Sequence, residues 1–489
     1  MSLRNLEPKV LWNHFEDLNG VPRASKREER VRRFMLNFGQ KLGLKSHEDA
    51  VGNVFIYKPA SSGMEDAETI ILQAHLDMVH QKNEGTSFDF ETQGIQMIIE
   101  GDWVKANGTT LGADNGIGVA AIMSVLSSKD ISHPAIEALF TIDEETGMTG
   151  AKNLDGTALS GKILMNLDTE DDDEFSVGCA GGMDTNTEWT YREEKVPSAY
   201  QTFEIRLTGL KGGHSGMDIT LGRGNSNKLM NMVIHHLMSI TDARLCRFTG
   251  GGLRNAIPRE CIAQVAVPAK AAKTMESEFG TYVKRLAFDY SKTEPGMKFE
   301  LKAMTQNSAS MVNVEDQKKI VSTIYTTPNG VWRMSEKLQG IPESSSSLAQ
   351  VEVSAGKFET CSLQRAMSAS GIQDISAAVQ MTYELLGAKV NQGGEYPGWE
   401  PNPSSKILKL LEQQYTDMFN AVPRIAACHA GLECGILSER IPGCDMISFG
   451  PTIKSPHSPD ERVNIPSVQK FWKFLTAVLC AIPVKQAAV

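Results

Sequence analysis

Several residue classes are scarce in this chain of 489 amino acids, and each shortage excludes a class of protein. Aromatic residues make up 7% of the chain. The eight cysteines are scattered along it, which excludes a small disulfide-stapled scaffold. No apolar run approaches the ~20 residues that a membrane-spanning helix needs. The N-terminal segment MSLRNLEPKV lacks the apolar stretch of a secretory signal, so we expect a cytoplasmic protein with reduced thiols.

Positive charge is also in deficit. The sequence has 49 Lys and Arg against 59 Asp and Glu, a formal net charge of -10. This balance favours solubility and disfavours nucleic acid or an anionic membrane surface as a partner. The length exceeds what one compact core usually holds, so we expect two domains or more.

Apolar segments with helical and strand periodicity alternate through the first third of the chain. Helical spacing covers residues 27–42 and 116–126. Strand-like apolar runs cover 54–57, 69–75, 135–142 and 162–167. This alternation predicts an α/β catalytic domain with a central mixed sheet flanked by helices. Sites in such domains form at the carboxyl ends of the strands.

The middle of the chain has the pattern of a second kind of domain. Strands are predicted at 202–207, 261–267, 348–353 and 357–363, the last two joined by a turn at Ala355-Gly356. Helices are predicted at 225–240, 273–288 and 372–386. We predict an inserted α+β lid and dimerisation domain with an antiparallel sheet, in which the serine run Ser344–Ser347 is a loop.

The predicted division is a catalytic domain over 1–186 and 398–489, with the lid at 187–397. The Gly- and Pro-rich stretch 393–403 is the predicted hinge. After it we expect a helix at 404–419, a strand at 423–427 and a helix at 468–482.

Short acidic and histidine-bearing segments recur along the whole chain. They are QAHLDM with His75 and Asp77, LGADNG with Asp114, TIDEET with Glu144 and Glu145, MNLDTE with Asp168, and KSPHSPDE with His457. Two histidines and three carboxylates suit a pair of divalent metals that share a bridging carboxylate. One further Asp and one further Glu are then free as orienter and base, which points to metal-assisted hydrolysis.

Each segment also has an ordinary structural interpretation. His75 and Asp77 could be a polar strand end, and Asp114 could simply cap a helix. Adjacent carboxylates such as Glu144 and Glu145 repel each other unless a cation or proton lies nearby, but a solvated loop also tolerates them. The acidic run after Asp168 is typical of a solvated face.

Candidate substrate contacts lie in the middle of the chain. His214, in the glycine-flanked loop 211–216, could donate to an oxyanion or be an ordinary loop residue. Asn225, Asn255 and Arg365 could each donate to a substrate or serve the structure alone. His429, in the segment HAGLECG with Glu433, is given no role.

The ordered set HLD, GADNG, DEETG, NLD, GGHSG and PHSPDE resembles the di-zinc peptidase family that contains aminoacylase, bacterial glutamate carboxypeptidase, peptidase T and carnosinase. The resemblance covers nearly the full length. It implies two Zn2+ per subunit, with Co2+ or Mn2+ as substitutes. Carried over by position, it implies that Asp114 bridges the metals, with Glu145 and His457 at one and His75 and Asp168 at the other.

The resemblance also implies roles for the remaining motif residues. Asp77 would support His75, Glu144 would be the general base, and His214 would steady the oxyanion. A cis peptide would follow the bridging residue Asp114.

The implied activity is hydrolysis of dipeptides with a free amino terminus, including Xaa-His, by a homodimer. Two alternatives on the same scaffold are an N-acyl amino acid deacylase and an aminotripeptidase. An alternative of another class is a catalytically inactive peptide-binding protein.

Overall fold

The computed structural model describes residues 3–484 as two compact units. The first unit contains the described residues up to Gly178, then Trp399–Ala427, then the described residues from Leu432 on. The second contains Cys179–Gly398 and Cys428–Gly431. The predicted division at 186/187 falls inside strand Gly181–Thr190, whose pairing continues through both halves, whereas the units divide before this strand begins.

The first unit is built on a mixed sheet, as predicted. Its strands lie in the order Lys45–Glu48, Val54–Lys58, Ile136–Thr141, Ile70–His75, Ile163–Asn166, Asp445–Ser448, Glu174–Cys179 and Arg424–Cys428. The four strands from Ile136–Thr141 to Asp445–Ser448 run parallel. Because parallel strands end at the same edge, the residues that follow them are brought together there.

Helices cover this sheet and supply the rest of its core. They are Lys9–Asn19, Glu29–Lys41, Ala113–Ser127, Thr149–Lys152, Lys406–Phe419, Glu433–Arg440 and Ile465–Cys480. Helix Ala113–Ser127 is buried on nearly every side, since its small residues Gly116, Gly118 and Ala120 allow close packing. Short 3-10 turns lie at Leu3–Asn5 and Gly156–Ala158.

A small second sheet ties the C-terminal segment to the first part of the chain. It consists of Ile453–Lys454, Arg462–Asn464, Trp103–Ala106 and Met97–Glu100. Val463 pairs with Val104, so the loop between the first two strands, which carries His457, is fixed in the first unit.

The second unit contains an antiparallel sheet, as predicted. Its strands lie in the order Lys298–Ala303, Tyr200–Thr208, Cys261–Pro268, Arg244–Gly250, Pro342–Ser354, Lys357–Ala366, Gly181–Thr190 and Lys389–Tyr396, and Gly330–Met334 also pairs with Pro342–Ser354. Its helices are Ser226–Thr241, Ala272–Asp289, Val314–Thr326 and Ala369–Leu386. Two short pairs, Glu193–Lys195 with Ser310–Val312 and Gly213–His214 with Ala256–Ile257, and the 3-10 turns Ile219–Leu221 and Ala269–Ala271 complete the unit.

The hairpin turn at Ala355-Gly356 is confirmed, with both residues at positive φ. The loop predicted for Ser344–Ser347 is wrong: these residues form the buried interior of strand Pro342–Ser354. Serine is common in turns, but here the segment pairs with strands on both sides, so its backbone is satisfied by the sheet. Gly393 and Gly394 of the predicted hinge lie in strand Lys389–Tyr396, and the unit boundary falls after Gly398.

No helix among residues 3–484 is long and apolar enough to cross a membrane. None of the eight cysteines, all of which lie within residues 3–484, is in a disulfide bond.

Candidate active site

The site lies in the first unit, where parallel strands of its large sheet end. His75 ends strand Ile70–His75, Glu144 and Glu145 follow strand Ile136–Thr141, and Asp168 follows strand Ile163–Asn166. The strands are parallel neighbours, so these residues come from one edge of the sheet. Two further groups join them there: Asp114, from the turn into helix Ala113–Ser127, and His457.

One cluster is centred on the buried imidazole of His75. Its Nε2 atom lies 3.1 Å from Asp114 Oδ1 and 3.5 Å from Asp168 Oδ1. Its Nδ1 atom lies 3.1 Å from the carbonyl oxygen of Asp77 and 3.4 Å from Asp77 Oδ1, so Nδ1 carries a hydrogen and donates. Asp77 thereby orients Nε2 toward the carboxylates of Asp114 and Asp168. The outer hydrogen-bond partners of metal-ligating histidines orient the ring in the same way.

A second cluster is centred on His457. Its Nε2 atom lies 3.2 Å from Asp114 Oδ2 and 3.0 Å from Glu145 Oε2. Asp114 therefore presents one oxygen to each cluster. The peptide bond between Asp114 and Asn115 is cis, and the Asn115 amide donates to the carbonyl of Leu167 and to the Asp168 carboxylate.

These residues fit a pair of divalent cations. Three carboxylates and two imidazoles are the ligand types that Zn2+, Co2+ and Mn2+ accept in hydrolytic sites. The Glu145 Oε1 atom is buried and has no hydrogen-bond partner within the described part of the chain. A buried carboxylate oxygen without a donor is costly unless a cation is nearby. Ligand atoms of His75, Asp114 and Glu145 lie within 4.8 Å of one another.

The negative field of the site acts strongly on the imidazoles. Burial opposes protonation of His75, but the charge of Asp168 and hydrogen bonds to Asp114, Asp168 and Asp77 raise its pKa well above the usual value. Hydrogen bonds to Asp114 and Glu145 raise the pKa of His457 to about 11. Burial raises the pKa of Asp168 to about 6. The site thus holds more negative charge than its histidines balance, which favours cations.

Glu144 is placed beside these ligands without being committed to a partner. No donor among residues 3–484 contacts its carboxylate, and burial raises its pKa well above the usual value. Its backbone is fixed by Asp77, which accepts from the N–H of Glu144 at 3.0 Å and from the N–H of Glu145 at 3.2 Å. Asp77 therefore orients His75 and shapes the adjacent acidic loop at the same time.

Glu433 is a site residue to which the sequence assigns no role. Its side chain is 2% exposed, and Oε2 accepts from Gln73 Nε2 at 2.7 Å and from Thr141 Oγ1 at 2.8 Å. Burial, with smaller contributions from the charges of Asp168 and Asp77, raises its pKa to about 7. Its Oε1 atom is buried and lacks a donor in the described residues.

A chain of buried amides and hydroxyls crosses the parallel strands below the ligands. Asn166 donates to Gln73 Oε1 at 2.5 Å, and Ser448 donates to Asn166 Oδ1 at 2.5 Å. Gln73 lies two positions before His75 in one strand, so both side chains point to the same face of it. Asn166 ends the neighbouring strand, two positions before Asp168. The sequence signal that could have identified these residues is a polar residue within an otherwise apolar strand.

His214, in the second unit, has a defined tautomer. Its Nδ1 atom accepts from the backbone N–H of Gly216 at 3.1 Å and of Met217 at 3.0 Å. Burial, assisted by the charge of Arg365, lowers the pKa of His214. The neutral ring therefore carries its hydrogen on Nε2, which makes that atom a donor.

Arg365 lies in a buried polar group of the second unit. Its Nη1 atom donates to the Tyr396 hydroxyl at 2.7 Å, and its buried Nε atom has no acceptor in the described chain. His429 lies in the same unit, with Nε2 2.8 Å from Ser345 Oγ. Burial and then the charges of Arg365 and His214 lower the pKa of His429 to about 3, so its ring is neutral.

Asn225 is fully hydrogen-bonded within the second unit. Its Oδ1 accepts from Asn227 N and Lys228 N at the start of helix Ser226–Thr241. Its Nδ2 donates to Asn329 Oδ1 and to the carbonyl of Leu348, which leaves no free hydrogen-bonding capacity. Asn255 lies on an exposed loop, where its carbonyl accepts from Ser215 N.

Comparison with known proteins agrees with this geometry. Residues 71–481 match the family described as Peptidase family M20/M25/M40. The cytosol non-specific dipeptidase of Escherichia coli (strain K12) is 40% identical over 483 residues, 99% of either chain. The crystal structure of aminoacylhistidine dipeptidase from Vibrio alginolyticus is 42% identical, with a TM-score of 0.94 and 99% of both chains covered. Aminopeptidase PepT from Bacillus cereus ATCC 10987, 16% identical with a TM-score of 0.54 over 98% of this chain and 99% of its own, shares the fold.

The fold, the strand-end carboxylates and these similarities define a hydrolase that cleaves peptide bonds. Within that class, the chain belongs to peptidase family M20/M25/M40.

Protons and cations should compete for the same imidazoles. Because the pKa of His457 is raised to about 11, the cation-free site holds a proton at neutral pH that a bound cation must expel. We therefore expect Zn2+ affinity to rise with pH and binding to release protons. Calorimetric titration in buffers of different ionisation enthalpy measures this release, and binding without it would contradict the ligand assignment.

Proposed function

We propose that the chain hydrolyses dipeptides with a free amino terminus, Xaa-His among them, in a reaction that depends on two divalent cations. The single observation that carries this proposal is the shared Asp114 carboxylate, with His75 at one oxygen and His457 at the other. The ligand types favour Zn2+, with Co2+ or Mn2+ as substitutes. The names of the relatives from Escherichia coli and Vibrio alginolyticus support the dipeptide substrate.

The proposed ligand set divides between two positions. His75 and Asp168 would hold one cation, Glu145 and His457 the other, and Asp114 both. Bound there, the cations would supply Lewis-acid chemistry, lowering the pKa of a water molecule and polarising the scissile carbonyl. Asp77, which would not ligate, holds the His75 ring through its Nδ1 hydrogen.

Glu144 is the proposed general base. Its carboxylate has no donor among residues 3–484, and the loop that carries it is held by Asp77. In the proposed reaction Glu144 takes a proton from the attacking water and passes it to the leaving amine. Both transfers need a carboxylate whose pKa lies above its usual value, and burial raises the pKa of Glu144 in that direction.

Glu144→Gln should remove this transfer while leaving the ligands in place. We expect the variant to retain wild-type zinc content and to lose ~100-fold or more in kcat, the scale of general acid–base catalysis. Metal analysis and steady-state kinetics on the same preparation measure both quantities. A fully active Glu144→Gln variant would refute the base assignment.

His214 is the proposed donor to the oxyanion of the tetrahedral intermediate. Support comes from its own unit: two backbone N–H groups fix the hydrogen on Nε2, and the lowered pKa keeps the ring neutral. A neutral imidazole whose hydrogen is fixed on Nε2 can donate that hydrogen bond to a developing negative charge.

Removal of this donor should slow turnover and spare the cation site. We expect His214→Ala to lower kcat by ~100-fold or more, the usual effect of losing an oxyanion donor. Zinc content should stay close to wild type, because His214 belongs to the second unit and the proposed cation ligands belong to the first. Unchanged kcat would remove His214 from the mechanism.

The free amino terminus is the part of the substrate that Glu433 would recognise. Its unpartnered Oε1 is a buried acceptor, and the surrounding carboxylates add negative charge. An ammonium group would supply the missing donor and compensate the buried charge. An N-acylated substrate offers no such charge, which is why we favour a dipeptidase over a deacylase.

A substrate panel on cation-stripped and zinc-restored protein tests the function. We expect zinc-dependent cleavage of dipeptides, with N-acetylated dipeptides cleaved at least ~10-fold more slowly, since loss of a charged hydrogen bond costs roughly 1.5–3 kcal/mol. Faster cleavage of N-acyl amino acids would favour the deacylase, and faster cleavage of tripeptides the aminotripeptidase. Binding of dipeptides without any cleavage would favour a peptide-binding protein.

Glu433→Gln should reduce the discrimination between free and acetylated dipeptides, with the change carried mainly by KM. Glu65→Gln, in the same unit, is a suitable control, because the exposed Glu65 carboxylate accepts from the N–H of Gly63. Equal discrimination in wild type and Glu433→Gln would exclude Glu433 as the ammonium acceptor.

Two further substrate contacts remain proposals. Arg365 would bind an anionic substrate group through its unused Nε, since a buried guanidinium N–H without an acceptor calls for one. Asn255 would contribute from its exposed loop.

For partners and location, we propose dipeptide substrates, no nucleic acid or membrane partner, a homodimer, and a cytosolic site of action. The name of the Escherichia coli relative supports the location, and the family resemblance supports the dimer. A solution mass of one subunit would contradict the dimer.

A further inference from the structure

Two buried charged residues, Arg23 and Glu461, hold the turn that presents Asp114. Both belong to the first unit, and neither is among the proposed cation ligands or the groups that would act on substrate. Arg23 is 1% exposed and Glu461 is 2% exposed. Charged side chains are rarely buried to this degree unless their hydrogen bonds are extensively satisfied.

The Glu461 carboxylate accepts from four consecutive backbone N–H groups. Oε2 accepts from Leu111 at 2.7 Å and from Gly112 at 2.9 Å, and Oε1 accepts from Ala113 at 2.7 Å and from Asp114 at 3.2 Å. Glu461 comes four positions after His457. It therefore ties the loop of one histidine directly to the backbone of the shared carboxylate.

Arg23 holds the same turn through a carbonyl oxygen. Its Nη2 donates to the carbonyl of Gly112 and to Asn19 Oδ1, and its Nη1 donates to the carbonyls of Leu76 at 3.2 Å and Asp77 at 3.1 Å. The guanidinium thus joins the segment after His75 to the turn before Asp114. A fixed planar fork can do this, whereas an ammonium group cannot span both sets of acceptors.

Glycine is required where this guanidinium approaches the turn. Gly112 has a φ of +68°, and a Cβ atom there would lie 2.5 Å from Arg23 Nη2. Asn19 completes the arrangement, since its Nδ2 donates to the carbonyl of Leu111 at 3.0 Å.

We propose that Arg23 and Glu461 are positioning residues that set the spacing between the two histidine–carboxylate clusters. Glu461 accepts hydrogen bonds from the backbone N–H groups of the turn, and Arg23 donates to one of its carbonyl oxygens. The turn is therefore fixed from both sides. Together they connect three ligand-bearing segments, which contain His75, Asp114 and His457. This inference rests on the proposed cation site.

An alternative role for Glu461 is that of a helix cap alone. Its four donors include the first N–H groups of helix Ala113–Ser127, and a carboxylate at that end also favours the helix dipole. A cap would stabilise the fold without affecting cation affinity. The experiment must therefore separate stability from coordination.

The test measures Zn2+ dissociation constants by chelator competition, the absorption spectrum of the Co2+-loaded protein, and thermal midpoints without metal. The variants are Glu461→Gln, which keeps the shape but loses acceptor capacity, and Arg23→Lys, which keeps the charge but loses the fork. We expect each variant to weaken zinc binding by ~10-fold or more, the usual effect of disturbing the partners of ligands. The Co2+ spectrum should change as well.

The chain provides a matched control for each variant. Glu137 accepts from Ser160 N at 2.8 Å and from Gly161 N at 3.0 Å, at the opposite end of the strand that leads to Glu144. Arg244, in the second unit, donates to the carbonyl of Val312 and, like Arg23, has a buried unpartnered Nε in the described chain. Glu137→Gln and Arg244→Lys should lower the thermal midpoint and leave both zinc affinity and the Co2+ spectrum unchanged.

Wild-type zinc affinity and an unchanged Co2+ spectrum in both Arg23→Lys and Glu461→Gln would overturn the inference and leave the proposed function standing. Equal weakening in the variants and their controls would also overturn it. If Glu461→Gln does not fold, Arg23→Lys decides alone. Absence of zinc binding by the wild-type protein would instead reject the proposed function, and this inference with it.

Discussion

The position of the Asp114 carboxylate is the constraint on which the rest of the site depends. Its two oxygens lie 3.1 Å from His75 Nε2 and 3.2 Å from His457 Nε2, so a shift of this single group changes both clusters at once. Two buried charged residues, Arg23 and Glu461, form hydrogen bonds with the short turn that carries Asp114. A loosely held carboxylate could contact either histidine alone; only a fixed one keeps both contacts together.

The fold explains how ligands from both ends of the chain meet. Parallel strands bring His75, Glu145 and Asp168 to one sheet edge. The small antiparallel sheet then pairs Arg462–Asn464 with Trp103–Ala106, which fixes the loop of His457 on the same unit. The second unit is inserted between these contributions and carries its own polar groups, so the chemistry of each unit can be probed by separate variants.

Much of the proposed cation site could be predicted, because local sequence patterns indicate its residues. An apolar run ending in His75, or in Asn-Leu before Asp168, identifies a buried strand with a polar end. Glu433 could not be found this way, since its partners Gln73 and Thr141 lie 360 and 292 positions away in the sequence. The hydrogen-bond partners of Asn225 are distant in sequence as well, since its amide donates to Asn329 Oδ1 and to the carbonyl of Leu348. Strand Asp445–Ser448 was not predicted, because its four residues do not show the alternation of apolar and polar residues that identifies a strand.

Anomalous diffraction at the zinc absorption edge, from crystals of zinc-restored protein, tests the central claim most directly. The account predicts two peaks on either side of the Asp114 carboxylate, one beside His75 and Asp168 and the other beside Glu145 and His457. A single peak away from Asp114, or no ordered zinc near these residues, would contradict it.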